Sequence, residues 1–180
     1  MRIDPDRAVL VVDDEEEIRQ AATRVLGADG YTVHLSESAE EALQVLETKP
    51  IRLVITDHGL PGMTGLELLK VLRERHPHVG RMMMTGNADV ATIVRSINEG
   101  QVMRFVRKPW DNAQLRVMVH FALQEVMLAE ANRRLIDALG RQLQFLRSLE
   151  ERFPGLCGSG ADEELARILA EAELMRPEDA

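Results

Sequence analysis

Short apolar, β-prone runs at Ala8 to Val12, Ile51 to Thr56, Arg81 to Met84 and Met103 to Val106 alternate with amphipathic stretches along the chain. This alternation limits the possible folds more than any other feature. Strands buried on both faces read as near-continuous apolar runs. Between them, Ile18, Ala21, Ala22, Val25 and Leu26, and later Leu66, Leu69, Val71 and Leu72, recur at helical spacing. Strands and helices that alternate in this way build an α/β fold, a doubly wound parallel sheet covered by helices. The spacing predicts strands near 8–12, 31–35, 51–56, 81–84 and 103–106, and helices near 15–28, 37–47, 64–75, 88–98 and from 111 onward.

Punctuation supports these divisions. Gly30 stands where a helix C′ residue belongs, Lys49-Pro50 and His76-Pro77 end the next two helices, and Gly100 follows the fourth. Asp111 with Gln114 three residues later has the form of a capping box. No strong stop then appears before Phe153-Pro154-Gly155. Unbroken, that helix would run about 63 Å, too long for one small domain. Its second half carries Ile136, Leu139, Leu143 and Leu146 in a 3-4-3 spacing, with Leu128, Leu135 and Leu149 beside them. Such a stripe calls for a partner, unless Gly140 breaks the helix and the second half folds back. A glycine-rich linker, which includes Gly158 and Gly160, then leads to a short amphipathic helix expected at 161–175.

Composition narrows the functional classes. A formal net charge of −8 over 180 residues argues against a basic nucleic-acid-binding face. The single cysteine, Cys157, permits neither a disulfide framework nor a zinc site within one chain. No apolar run approaches the roughly 18 residues of a membrane span, and no signal-like segment precedes the first strand. A cytoplasmic protein is the expectation, with no membrane and no DNA as partner.

In doubly wound sheets, ligands bind beyond the carboxyl ends of the strands, where strand order reverses. Asp13, Asp14, Asp57, Thr85 and Lys108 all fall at predicted strand ends. Paired acids before a helix often serve only as a cap, but capping does not require Asp57, Thr85 and Lys108 as well. His34, His58, His76, His78 and His120 show no metal-ligand spacing, and His58 reads as an exposed loop residue. Met82, Met83 and Met84 read as core filling, and Trp110 as packing at the domain edge.

The motifs VVDD (Val11 to Asp14), TDHGLPGMTG (Thr56 to Gly65), MMTG (Met83 to Gly86) and FVRKPW (Phe105 to Trp110) together resemble the receiver domain of bacterial two-component response regulators. The resemblance covers residues 8 to about 122. It implies a flavodoxin-like, five-stranded parallel sheet of order 2-1-3-4-5, here with an extended C-terminal helix. The implied division is a receiver over 1–124, a helical or coiled-coil extension over 125–152, and a linker with a short helix over 153–180.

What the resemblance implies for the site follows residue by residue. Asp57 would be the phosphorylated carboxylate. Asp13, Asp14, Asp57 and the backbone carbonyl of Gly59 would hold Mg²⁺. Thr85 and Lys108 would bind the phosphoryl group, and Thr85 with Phe105 would form the switch, although a plain core role competes for Phe105. The switching face would combine the helix at 88–98, the fifth strand and the helix from 111. Partners would be a sensor histidine kinase or histidine phosphotransfer protein, a second copy of the chain joined through the C-terminal helix, and a downstream protein. Departures are small: Leu60 replaces the usual Met, Gly86 the usual Ala, and Gly59 and Asn87 leave the phosphoryl group open to water.

Three other functions stand beside this one. A phosphate sink or relay would keep the site without an output, and would survive deletion of 126–180. A phosphatase of the haloacid-dehalogenase type needs a second Asp where this chain has Gly59. A DNA-binding regulator needs a recognition helix, and none is evident after residue 123. The chain is therefore expected to be a phosphoacceptor, not an enzyme acting on external substrates.

Overall fold

The computed structural model describes residues 7–86, 102–153 and 167. Its elements are β1 (Ala8–Val12), α1 (Glu16–Ala28), β2 (Thr32–Ser36), α2 (Ala39–Thr48), β3 (Leu53–Asp57), α3 (Gly65–Arg75), β4 (Gly80–Thr85), β5 (Arg104–Arg107) and α4 (Asn112–Arg152). The expected helix at 88–98 and the short helix at 161–175 lie outside the described residues, apart from Arg167. These residues fall into two compact units, one ending at Met127 and one beginning at Leu128.

All strand pairs are parallel, and the sheet order is β2-β1-β3-β4-β5. Because side chains alternate across a strand, β1, β3, β4 and β5 each feed two cores. Ala8, Leu10, Val12, Val54 and Met83 pack with Ala39, Ala42 and Leu46 of α2 and Leu68, Leu69 and Leu72 of α3. Val9, Val11, Leu53, Ile55, Met82, Met84 and Val106 pack on the other face with Ala22, Val25 and Leu26 of α1 and Leu115, Val119, Ala122 and Leu123 of α4. The methionine run is thus divided between two cores. Trp110 packs partly buried beside the second.

Local chemistry explains the ends of the helices. Ser38 accepts from the Glu41 amide at the start of α2. Asp111 Oδ1 accepts from the Gln114 amide at 3.0 Å where α4 begins. The complete reciprocal capping box stands at α3, between Thr64 and Glu67. Gly30, at φ +79°, follows the end of α1. No helix among the described residues is long and apolar enough to cross a membrane.

Helix α4 continues through Gly140, so the expected alternative of a helix break at that glycine is not what forms. One glycine costs a helix only about 1 kcal/mol relative to alanine, too little to break it. The anticipated apolar stripe divides, however. Leu143 is 6% exposed, whereas Leu146, Leu128 and Leu135 are 39%, 64% and 68% exposed. Leu143 lies eight residues past Leu135, about 80° round the helix, so the two face different surroundings.

Candidate functional site

Strand order reverses between β1 and β3: from β1 the chain moves outward to β2, then returns to the other side for β3. The register pairs Val12 with Thr56, so Asp13, just past β1, lies beside Asp57, the last residue of β3. The backbone is tied down on either side. The Asp13 amide donates to the Ser36 carbonyl at 3.2 Å, the His58 amide to Met84 at 3.0 Å, and the Lys108 amide to Thr85 at 2.8 Å.

These ties bring three charged side chains together. Lys108 Nζ lies 2.7 Å from Asp13 Oδ2 and 2.5 Å from Asp57 Oδ1, with Glu15 Oε1 farther away at 3.7 Å. Asp13 is fully buried, while Asp57 and Lys108 keep slight solvent access. Burial pushes the Asp13 carboxyl above its ordinary pKa, and the Lys108 hydrogen bond and Glu15 amide only partly offset this. For Lys108, burial opposes the charge, but hydrogen bonds and attraction from Asp13 and Asp57 prevail, so its pKa is raised. The Lys108-Pro109 peptide is cis.

The remaining predicted site residues are less uniformly placed. The Gly59 amide donates to Asp57 Oδ2 at 2.6 Å, which fixes one carboxylate oxygen and leaves the other for Lys108. Thr85 is buried at the end of β4. Phe105 is partly buried against the α2 and α3 core, paired in register with Met83. Asp14 is exposed, and among the described residues no three acidic, His or Cys side chains form a ready metal cage. Asn87 lies outside the described residues. His58 corrects an expectation: it is half-buried because its backbone continues β3 alongside β4, and its Nδ1 has no hydrogen-bond partner among the described residues.

Two contributors are not singled out by the sequence reading. A Cβ at Gly65 would sit 1.9 Å from the Asp57 carbonyl oxygen, so α3 can start this close to the acid only at a glycine. The Gly65 amide donates to the His58 carbonyl at 3.2 Å, closing the loop on itself. The T-x-x-E spacing of Thr64 and Glu67 could have indicated the start of this helix. Arg19 Nη1 donates to the carbonyls of both Asp13 and Asp14, at 2.5 and 3.0 Å.

This arrangement offers a partly accessible carboxylate at the crevice, a second carboxylate beside it and an ammonium bridging them. The family model described as the response regulator receiver domain matches residues 9–120. The chain belongs to that family. It is a receiver homologous to regulators of the NtrX, FixJ and NtrC type. The hydrogenase transcriptional regulatory protein HoxA of Cupriavidus necator is 36% identical over 107 residues, 59% of this chain and 22% of HoxA. FixJ of Rhizobium meliloti is 29% identical over 82% of this chain and 70% of its own length. Of HoxA, an NtrX-like regulator of Rickettsia bellii and NtrC of Escherichia coli, this chain spans only about a quarter of the length.

Solved receivers agree in fold. The receiver domain of NtrX from Brucella abortus is 31% identical with a TM-score of 0.61, covering 64% of this chain and 98% of that one. The beryllofluoride-activated NtrC4 receiver domain dimer is 26% identical with a TM-score of 0.63, covering 67% of this chain and 98% of that one.

Proposed function

We propose that the chain is a cytoplasmic phosphoryl acceptor of a two-component system, with Asp57 as the acceptor. An Asp57 carboxylate oxygen attacks the phosphorus of a phosphohistidine on a sensor histidine kinase or phosphotransfer protein. A P–O bond forms, the P–N bond breaks, and the imidazole leaves with a proton, giving an aspartyl phosphate. The observation that carries this reading is the convergence of Asp13 and Asp57 on the Lys108 ammonium at the point where strand order reverses.

The donor set suits a hard dication, because Asp13 and Asp57 present carboxylate oxygens to a common cation. Mg²⁺ would be held by Asp13, Asp57, the neighbouring Asp14 and the Gly59 carbonyl, and would supply positive charge against the incoming phosphoryl oxygens. Lys108, already facing Asp57, is placed to give that group a point charge. Thr85 at the end of β4 supplies a hydroxyl donor, and its shift would let Phe105 turn inward and alter the face that includes β5 and α4. A coupling of about 1 to 3 kcal/mol is enough to bias such an equilibrium.

For output, a second copy of the chain and a downstream protein are the partners of choice. Leu128, Ala131, Leu135, Ala138, Gln142, Phe145 and Leu149 follow a 3-4 heptad spacing, and the large members Leu128, Leu135 and Phe145 are exposed. The acidic net charge favours protein partners over nucleic acid.

The test is incubation with acetyl phosphate, with and without Mg²⁺, followed by intact-mass measurement. One phosphoryl group is expected, dependent on Mg²⁺. No mass gain under either condition contradicts the proposal. For the switch, Thr85→Ala should uncouple phosphorylation from self-association seen by light scattering, and an unchanged response contradicts that step.

A further inference from the structure

We propose that Arg19 is a positioning residue of the acidic site: its guanidinium holds the Asp13-Asp14 turn in the form that binds a divalent cation. The inference rests on the metal-dependent reading of Asp57 given above. Arg19 is half-buried in the first turns of α1 and reaches back so that Nη1 donates to two consecutive carbonyls, Asp13 at 2.5 Å and Asp14 at 3.0 Å. Both carbonyls turn toward one cation, while the Asp13 carboxylate is engaged by the Glu15 amide and Lys108.

The rest of the turn depends on the same two residues. Glu15 stands at the N-cap of α1, but its side chain makes no capping bond. Its amide donates instead to Asp13 Oδ1 at 3.0 Å. The turn is thus closed by the Asp13 side chain on one side and by Arg19 on the other. A cation this close to a helix N-terminus opposes the helix dipole. A local rule broken next to a polar site, with the offending group fully engaged there, points to a role in that site.

The chemistry follows from the acceptors. Backbone carbonyls are themselves good ligands for hard cations. By occupying the oxygens of Asp13 and Asp14, Arg19 withdraws them from competition and leaves the carboxylates as the donors offered to the ion. Groups that orient metal ligands from behind typically change affinity by tenfold or more when removed.

Arg19→Ala and Arg19→Lys in the full chain test this against the parent, with two readouts: calorimetric titration with MgCl₂, and hydrogen exchange of the Glu15 amide without metal. Arg19→Ala should weaken Mg²⁺ binding by about tenfold and speed Glu15 exchange. Arg19→Lys, which keeps a cationic donor, should recover most of both effects. A parent that binds Mg²⁺ and an Arg19→Ala variant that binds it equally well, or unchanged Glu15 exchange, would overturn the role of Arg19 alone. A parent that binds no Mg²⁺ would overturn the underlying reading as well.

Discussion

The carboxyl edge of the sheet and the outer half of α4 break the same rule in opposite directions. At the sheet edge polar groups are buried: Asp13 is 0% exposed and Thr85 6%. On α4 beyond Met127 apolar groups are exposed: Leu128 at 64%, Leu135 at 68% and Phe145 at 63%. Buried polar groups and exposed apolar patches are the informative exceptions to ordinary partitioning. The first region meets its cost internally, through Lys108, Arg19, the Gly59 amide and the backbone ties. The second leaves its cost unmet within the described chain. The difference separates buried polar groups whose partners lie beside them in the same unit from a helix face that the described residues leave bare.

The largest effect should come from removing the internal counter-ion. Lys108→Ala leaves Asp13 and Asp57 facing one another without compensation, and loss of one partner from a buried ionic group costs roughly 3 kcal/mol or more. Urea unfolding without metal measures it, and added Mg²⁺ should narrow the gap. Equal stability of variant and parent would show that the edge is not held by this cation.

Gly65→Ala comes next. Its new Cβ would press on the Asp57 carbonyl, and overpacking of this kind costs up to about 3 kcal/mol. Phosphorylation should fall together with stability, because the displaced atom belongs to Asp57, the proposed acceptor. A variant with the parent's thermal midpoint would mean that α3 can retreat freely.

A pH titration sharpens the same contrast. The folded Asp13 carboxyl has a raised pKa, through burial first, so the folded chain binds its proton more readily than the unfolded one. Its contribution favours folding below that pKa and is lost as pH rises through it. Without metal, Asp13→Asn should therefore be more stable than the parent at neutral pH, and the advantage should shrink toward acid. Lys108 acts in the opposite sense: its raised pKa contributes stability at neutral pH that disappears only when alkali removes the proton. Denaturant midpoints across pH check both, and a destabilised Asp13→Asn at neutral pH would reverse the first.

The smallest change in stability belongs to the helix. Replacing Leu128 and Leu135 together by Gln removes side chains that face water, so the unfolding free energy of the isolated monomer should move by less than about 0.5 kcal/mol per site. Self-association followed by light scattering should nevertheless be lost. Retained association would place the partner surface elsewhere.

Much of this is legible in the sequence alone. The runs at β1, β3 and β4 were visible because buried parallel strands have to be continuously apolar, and the acids stood out because they interrupt such runs at the ends. The turn at Gly30 and the stops before Pro50 and Pro77 were readable from backbone chemistry alone. What escaped depends on contacts across the sequence. Gly65 looks like any loop glycine until α3 is seen against the Asp57 carbonyl. Arg19 looks like a solvated helix residue until its side chain is seen folded back on the preceding turn. His58 reads as exposed because loop composition says nothing about a backbone that keeps company with β4. The splitting of the α4 stripe was hidden for a related reason: spacing reports which residues share a face and is silent on what covers that face.

Borohydride trapping after treatment with acetyl phosphate and Mg²⁺ tests the central assignment most directly, because reduction of an aspartyl phosphate converts that residue to homoserine. Peptide sequencing by mass spectrometry should find homoserine at position 57, and none in Asp57→Asn. Homoserine at position 13 or 14, or its absence from the whole chain, would contradict the account.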